Sequence, residues 1–302
     1  MYRIRDGNEK GTYMITTEML NTMLQTGMLA FTVPVVLIAV WKLRTRKSLV
    51  PFFIGMLTFV VAAKVLETIP HTVFIIMDNP VSRLLKSNAA LYALYGGLMA
   101  ALFEEGGRYV AFHFLIRKYP EKETAVTYGI GHGGVECMLV LGLGYLQYYT
   151  YGQLLNNGTF DKMLKTMSGS ELKAMQTVGD TIRDLTATDC LIAGWERISA
   201  LMLQIGLSIL VFKAVKVAGQ KKMLWIAMIL HMLADIPAGL YQMKAIGLIP
   251  TEILLTVLSL AVLLYAMQVY KGIKKEAKEA STFGASGTSI HELANRKLKD
   301  KE

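Results

Sequence analysis

Blocks of about twenty apolar residues recur along the chain and are separated by short polar connections. Such blocks have the length that an α-helix needs to cross the hydrocarbon core of a bilayer. The pattern predicts an all-α fold, a polytopic membrane helix bundle of about seven transmembrane helices. The predicted spans are residues 23–41, 50–69, 89–116, 124–148, 190–212, 223–243 and 248–270.

Basic residues follow every second predicted span, which indicates the orientation of the chain. Short loops rich in Lys and Arg stay on the cytoplasmic side, so we expect the N-terminus outside and the C-terminus in the cytoplasm. We predict one transmembrane domain over residues 1–270, with an exterior segment at about 150–189. Residues 271–302 form a charged cytoplasmic tail that we expect to be mobile. The basic groups are Lys42, Arg44, Arg46 and Lys47, then Arg117, Lys118 and Lys122, then Lys213, Lys216, Lys221 and Lys222, and finally Lys271, Lys274, Lys275 and Lys278.

The composition is typical of a multi-pass protein that is embedded in the lipid of the cell membrane. Hydrophobic residues make up 53% of the chain and charged residues 18%, whereas soluble domains carry about 25% charged residues. The net charge of +9 is divided among the loops, so it predicts membrane topology and no nucleic-acid partner. Cys137 and Cys190 lie in apolar stretches without a CxxC pattern, and we expect buried thiols.

Ionisable residues interrupt several predicted spans, where a charge normally faces a protein interior or a water-filled cavity. Three pairs are four residues apart, so each pair shares one helix face. By the helical rise, His132 and His231 lie about 12 Å from the cytoplasmic ends of their spans, and Glu104 and Glu105 about 17 Å. We therefore predict that three helices bring these side chains together. The pairs are Glu104 with Arg108, His132 with Glu136, and His231 with Asp235.

Other polar positions in the spans have more than one interpretation. Lys64 and Glu67 lie near the outer end of the second span, where snorkelling to the interface explains them. Glu196 also lies near an outer end, and it either pairs with Arg197 and the exterior segment or supports the site. The glycines at 129–134 permit close helix packing, and we expect them to let the fourth span approach the third and sixth.

The predicted cluster suits hydrolysis by an activated water molecule. A carboxylate and an imidazole that share a water can direct it at a carbonyl carbon. A second histidine with a nearby acid can stabilise the oxyanion that forms. Because no serine or cysteine lies in a nucleophile setting among these residues, the predicted reaction is hydrolysis by water, most naturally of an amide within the membrane.

The same atoms allow a metal-assisted alternative. His132, His231 and one carboxylate, Glu136 for example, would make a three-ligand zinc site with an open position for water. The sequence contains no HExxH, the more specific signature of zinc proteases. The sequence therefore favours catalysis without a metal over a Zn²⁺ cofactor, which stays the alternative.

At these residues the chain resembles the CPBP group of intramembrane proteases, which includes the CAAX prenyl proteases, and more closely the YhfC family of bacterial intramembrane proteases. The pattern of the group is a di-glutamate followed by an arginine, then an aromatic-xxx-His, then a His-xxx-Asn/Asp. The resemblance covers residues from about 90 to 240. In this chain the motifs are Glu104-Glu105 with Arg108, Tyr128-xxx-His132 and His231-xxx-Asp235.

The resemblance implies that a glutamate activates a water oriented by His132, while His231 and Asp235 form the oxyanion side. Two departures matter. The prenyl proteases have EExxxR where this chain has EExxR, so the base is Glu104 or Glu105, and alignment on the glutamates favours Glu104. Gln204 lies level with the two histidines, where we expect a histidine in YhfC relatives, and a glutamine there weakens the case for a metal.

The sequence thus predicts an intramembrane endopeptidase that opens to the cytoplasm and cleaves a membrane-associated peptide or protein. Its predicted catalytic residues are Glu104, Glu105, His132, His231 and Asp235. The alternatives are a proton- or metal-coupled transporter that uses the same residues, and an inactive protease-like immunity or scaffold protein. The predicted supporting residues are Arg108, Glu136, Glu196 and Gln204.

Overall fold

Helices form nearly all the regular structure of residues 14–285, the part of the chain that the computed structural model describes, with side chains up to residue 273. No strand occurs in this part, and the all-α prediction is confirmed. The helices, numbered in chain order, are α1 (Thr17–Thr45), α2 (Val50–Ile76), α3 (Pro80–Ser87), α4 (89–115), α5 (Glu123–Asn156), α6 (Thr159–Leu164), α7 (Gly169–Asp184), α8 (Ala187–Lys216), α9 (Lys222–Gln242) and α10 (Leu248–Ala285).

Six of the predicted spans coincide with helices that are long and apolar enough to cross a membrane, namely α1, α2, α5, α8, α9 and the part of α10 up to Ile273. Helix α4 runs without a break over residues 89–115, but it is not among the six. It carries Glu104, Glu105 and Arg108, and three charged side chains lower its hydropathy. The seventh span and the orientation of the termini therefore stay predictions.

Helices α2, α4 and α5 contain turns of π-helix, which the sequence did not predict. A π turn is wider than an α turn and occurs frequently at functional sites. One of these turns in α4 includes both Glu104 and Glu105, so neither lies on the regular α-helical face that sequence spacing assumes. The π turns are Val60–Leu66 and Thr72–Ile76 in α2, Ala101–Glu105 and Ala111–Leu115 in α4, and Met138–Gly142 in α5.

The chain divides into two units. The first consists of the residues up to Val33 together with Cys137–Arg197. Its core contains the fully buried side chains of Met23, Phe160 and Ile182. The segment predicted to be exterior is mostly helical, because α5 continues to Asn156 and is followed by α6 and α7. The Asn156 amide group holds the chain just before α1, since it accepts from the Ile15 N–H at 2.7 Å and donates to the Ile15 carbonyl at 2.8 Å.

The second unit consists of Pro34–Glu136 and the residues from Ile198 onward. Its core is centred on aromatic side chains of α4, α5 and α8. The Phe112 ring lies 4.6 Å from the Tyr128 ring and 5.4 Å from the Phe212 ring, centroid to centroid. All three side chains are fully buried.

The glycines of α5 contact helices other than the expected ones. A Cβ atom on Gly131 would overlap the backbone carbonyl of Phe52 in α2, and a Cβ on Gly133 would lie 2.9 Å from Cβ of Gln204 in α8. The expectation that these glycines face the third and sixth spans is therefore wrong. The glycines of α5 lie where α2 and α8 pack most closely against it. The longer His132 side chain reaches Glu104 of α4 across a wider gap.

Helix α10 continues to Ala285, so the first part of the predicted tail is helical. The rest of the predicted tail, residues 286–302, lies outside the described residues. The division into one transmembrane domain and a mobile tail stays a prediction.

Candidate functional site

Four helices of the second unit place eight polar side chains in one group, called here the polar cluster. Helix α4 supplies three of them, α5 and α9 two each, and α8 one. All except Glu136 and Asp235 are buried. The structure therefore brings together the residues that the sequence assigned to one site from three helices, and with them Gln204 of α8, which the sequence also named as a supporting residue. The polar cluster consists of Glu104, Glu105, Arg108, His132, Glu136, Gln204, His231 and Asp235.

Glu104 lies at the centre of the polar cluster. Its Oε2 atom is 2.9 Å from Nε2 of His132 and accepts from the Gln204 amide nitrogen at 3.1 Å. The same oxygen is 3.5 Å from Nη2 of Arg108 and 4.0 Å from Nε2 of His231. One carboxylate oxygen of Glu104 is thus directed at donors from three other helices, and both imidazoles face it.

Glu105 has a different set of partners from its neighbour. Its Oε1 atom accepts from Nη1 of Arg108 at 2.5 Å and lies 2.7 Å from Nδ1 of His231. Glu105 is completely buried, whereas Glu104 is 6% exposed. Glu105 therefore fixes the orientations of Arg108 and His231, and Glu104 is the glutamate that keeps a small exposed fraction.

Gln204 links the Arg108 and Glu104 side chains of α4 to Glu136 of α5. Its amide oxygen accepts from Arg108, and its amide nitrogen donates to Glu104 at 3.1 Å and to Glu136 at 2.7 Å. An amide side chain can donate and accept at once, which allows Gln204 to contact both a guanidinium and two carboxylates. The structure thus pairs Glu136 of α5 with Gln204 of α8.

Aromatic rings hold the His132 side chain in place. The Tyr128 ring lies 5.8 Å from the imidazole at an angle of 30°, and the Phe59 ring meets it edge-on at 5.2 Å. Among the described residues, Nδ1 of His132 and Oε2 of Glu105 have no hydrogen-bond partner. The aromatic residue one turn before His132 thus has a physical role, because it packs against the ring and limits its rotation.

Asp235 connects the polar cluster to a cavity of about 390 Å³. Its Oδ2 atom lies 3.5 Å from Nε2 of His231, and its side chain is 34% exposed. The cavity is called here the Asp235 cavity. It lies toward the Gln242 end of α9, opposite the end that carries the basic connections, whereas the sequence led us to expect an opening toward the basic, cytoplasmic side. The lining residues that matter below are His71, Tyr92, Gly96, Asp235 and Gln242.

The sequence analysis missed a second polar group in α2 and α4. Nε2 of His71 lies 3.1 Å from the Glu67 carboxylate, and Nδ1 lies 3.1 Å from the Tyr95 hydroxyl. Glu67 is buried, so snorkelling does not describe it. Lys64 is exposed and lies 5.3 Å from the centre of the Phe59 ring. The sequence could have predicted this contact, because Glu67 and His71 are four residues apart on one helix.

Glu196 belongs to the first unit and not to the one that contains the polar cluster. Its carboxylate accepts a hydrogen bond from Arg197. Its role as a supporting residue of the site stays a prediction.

The residues of the site do not fit a resident metal ion in this arrangement. Imidazole and carboxylate are the right donor types for zinc, but no group of three His, Cys, Asp or Glu side chains in the described residues could hold one ion. Nε2 of His132 is instead paired with Glu104, and Nδ1 of His231 with Glu105. The buried guanidinium of Arg108 beside both glutamates already supplies a positive charge.

Comparisons with known proteins indicate the family of the chain. Residues 29–258 match the model of a family described as YhfC intramembrane metalloprotease. Over 229 residues the chain is 35% identical to "Uncharacterized membrane protein YhfC" of Bacillus subtilis (strain 168), covering 76% of this chain and 87% of that protein. No solved structure matches.

The family match includes every residue of the polar cluster. With six candidate spans in the described residues, it confirms the prediction of a multi-pass membrane protein. The relationship to the CPBP group is not shown by these comparisons and stays a resemblance. The family model and the Bacillus subtilis relative both cover most of the chain, and this protein therefore belongs to the YhfC family.

Proposed function

We propose that this protein is an intramembrane endopeptidase that hydrolyses a peptide bond of a membrane-associated substrate with a water molecule activated by Glu104. The observation that carries the proposal is the position of the Glu104 carboxylate. One of its oxygens lies 2.9 Å from His132, 4.0 Å from His231 and near the partly exposed Asp235 side of the cluster. A base of this kind must reach both a water molecule and the groups that orient it.

In the proposed reaction, the Glu104 carboxylate takes a proton from water as the water oxygen attacks the peptide carbonyl carbon. A C–O bond forms, and the carbonyl π electrons move to the oxygen to give an oxyanion. Glu104 then returns its proton to the amide nitrogen as the C–N bond breaks. The products are a carboxylic acid and an amine, and Glu104 ends in its starting form.

The neighbouring residues position these atoms. His132 orients the water, since its Nε2 atom faces Glu104 and its ring is held by Tyr128 and Phe59. His231, held at Nδ1 by Glu105, directs Nε2 toward Glu104 and Asp235. A doubly protonated His231 would donate from Nε2 to the oxyanion, because preorganised donors at the developing charge lower the barrier.

Glutamate mutants test the catalytic assignment. With the purified protein in detergent and a library of apolar peptides, we expect product masses from the wild type. Because general-base catalysis contributes about 10²- to 10⁴-fold, Glu104→Gln should reduce the rate by at least about 100-fold, and His132→Ala should do the same. Glu121→Gln, in an exposed connection, is the matched control and should cleave normally. Wild-type rates in Glu104→Gln would overturn the assignment.

Metal analysis tests the mechanism separately. The polar cluster pairs its imidazoles with carboxylates, and we expect the purified protein to contain much less than one zinc per chain and to cleave in the presence of a chelator. One zinc per chain whose removal stops cleavage would support the metal-assisted alternative and the family description.

Proton-coupled transport is the second candidate function. It is favoured by a continuous series of polar contacts from Glu136 through Gln204, Glu104 and His231 to Asp235. Such series serve as proton relays in pumps and transporters. Proton flux into liposomes that requires Glu104, without cleavage of any peptide, would favour transport over proteolysis.

The orientation belongs to the same proposal. Seven spans with basic residues after every second one would place the N-terminus outside and the C-terminus in the cytoplasm. The Gln242 end of α9 would then face the exterior.

A further inference from the structure

The Asp235 cavity begins at the polar cluster and has the properties of a binding pocket. Its volume of about 390 Å³ falls in the range of ligand sites, which are mostly apolar with a few converging polar groups. Ile75, Ile76 and Ala238 supply apolar walls, whereas His71 and Gln242 supply polar groups. Asp235 is the residue shared by the cavity and the cluster.

Glycines create this space between α4 and α9. A Cβ on Gly97 would lie 2.6 Å from the carbonyl oxygen of Met232, and a Cβ on Gly239 would lie 2.6 Å from Cα of Ala93. These two glycines therefore hold the helices in backbone contact. A Cβ on Gly96, next to Gly97, would meet no atom of the described residues within 4 Å, so Gly96 faces the open space. The tight contact fixes the width of the cavity that Gly96 lines.

The polar wall of the cavity is held in a fixed orientation. The His71 ring is bound on one side by Glu67 and on the other by the Tyr95 hydroxyl, both at 3.1 Å. The Tyr92 hydroxyl donates to Oε1 of Gln242 at 3.2 Å. Polar groups that are already oriented lose little entropy when they bind a further group.

A peptide bond can be attacked only where its carbonyl has left regular helical structure. At membrane depth, non-helical backbone is tolerated only where it is buried in protein or lines a water-filled cavity. The N–H and C=O groups of such a segment need partners. Among the residues that line the cavity together with Asp235, the Gln242 amide nitrogen can still donate and the Tyr92 oxygen can still accept. Both ring nitrogens of His71 are already bound.

We infer that the Asp235 cavity is a substrate subsite. It receives a short, unwound and mainly apolar segment of the substrate beside the bond to be cleaved. The segment enters from the end that carries Tyr92 and Gln242, its backbone meets the polar wall, and one of its side chains lies over Gly96. The inference rests on the proposed peptidase function. It adds which kind of substrate segment is recognised and from which end of the helices that segment enters.

Labelling tests the entrance without any need for cleavage. In a variant whose buried cysteines are replaced, Cys137→Ala/Cys190→Ala, we would introduce Gly96→Cys and add a membrane-impermeant maleimide to either side of oriented vesicles. The exposed Ser87→Cys and Lys118→Cys mark the two ends of α4. We expect Gly96→Cys to react from the same side as Ser87→Cys. Reaction only from the Lys118→Cys side, or none from either, would overturn the entrance.

Side-chain selectivity tests the subsite itself. Gly96→Leu should fill the cavity without a backbone clash. We expect it to lower cleavage of peptides with a large residue beside the cleaved bond by about tenfold or more, because the size of a pocket limits which side chains it accepts. Peptides with Gly or Ala there should still be cleaved. Gly106→Leu is the matched control, since Gly106 also faces open space but lines a separate apolar cavity.

The outcomes separate this inference from the proposed function. If Gly96→Leu loses cleavage activity equally for all peptides, or keeps the selectivity of the wild type, the subsite is overturned. The Glu104→Gln result would still support proteolysis in that case. If the wild type cleaves no peptide, the peptidase proposal fails, and the subsite fails with it even if Gly96→Cys is labelled from the Ser87 side.

Discussion

Arg108 is the buried cation around which the charges of the site are arranged. Its guanidinium group donates to Glu104, Glu105 and Gln204 and is completely inaccessible. Arg108 follows Glu104 by four residues and Glu105 by three, and even with both glutamates in a π turn its guanidinium group contacts each of them. An additional residue between them, as in EExxxR, would change this shared contact.

Removal of Arg108 should therefore destabilise the protein strongly. Breaking a buried ion pair by deleting one partner costs about 3–5 kcal/mol, and we expect Arg108→Ala to lower the midpoint of thermal unfolding in detergent by many degrees. The control is Arg83→Ala, because Arg83 pairs with Asp78 on the surface and an exposed pair contributes about 0–1 kcal/mol. Equal midpoints for the two variants would contradict the structural role of Arg108.

The i, i+4 spacing was enough to predict that α4, α5 and α9 contribute to one site, but not how their side chains pair. The sequence placed Glu136 on the same face as His132 and left its partner open, and the structure shows a hydrogen bond to it from Gln204 of α8. It could not separate Glu104 from Glu105, because the π turn Ala101–Glu105 changes the direction of both side chains. Spacing along one helix contains no information about which neighbouring helix lies opposite.

At the scale of the helix, α5 shows how glycine selects its neighbours. Gly131 has the backbone of Phe52 directly against it, whereas Gly144 of the same helix has open space. We expect Gly131→Ala to destabilise by about 1–3 kcal/mol through overpacking. Gly144→Ala should be neutral or stabilising by up to about 1 kcal/mol, because alanine is the better helix former. Unfolding midpoints in one detergent would compare them, and a stable Gly131→Ala would disprove the close contact.

The positions of six long helices followed from hydropathy because length and composition are visible in a single sequence. The ends of the helices did not, since α5 extends to Asn156 and α10 to Ala285, well into segments that are polar in sequence. Tertiary partners decide such ends. The pairing of Asn156 with Ile15, 141 residues away in the chain, is an example that no local pattern contains.

For the whole molecule, we predict that α4 crosses the membrane as a seventh span. If it does, Ser87 and Lys118 lie on opposite sides, since residues 89–115 would extend about 40 Å at the α-helical rise. We expect an impermeant maleimide to label Ser87→Cys and Lys118→Cys from opposite faces of the vesicle. Labelling of both from one face would reduce the number of spans to six and reverse the orientation of every later span.

The charges of α4 also have a consequence for how the protein is made. A charged side chain at the centre of a span costs about 2.5–3.5 kcal/mol during insertion, and Arg108 offsets part of this cost because it pairs with Glu104 and Glu105 within α4. His132 and His231, which pair with these glutamates, are synthesised later. If α4 inserts as a span, Glu104 and Glu105 gain their histidine partners only after α5 and α9 have been synthesised, so we expect a chain that stops before α9 to be less stable in the membrane than the full chain.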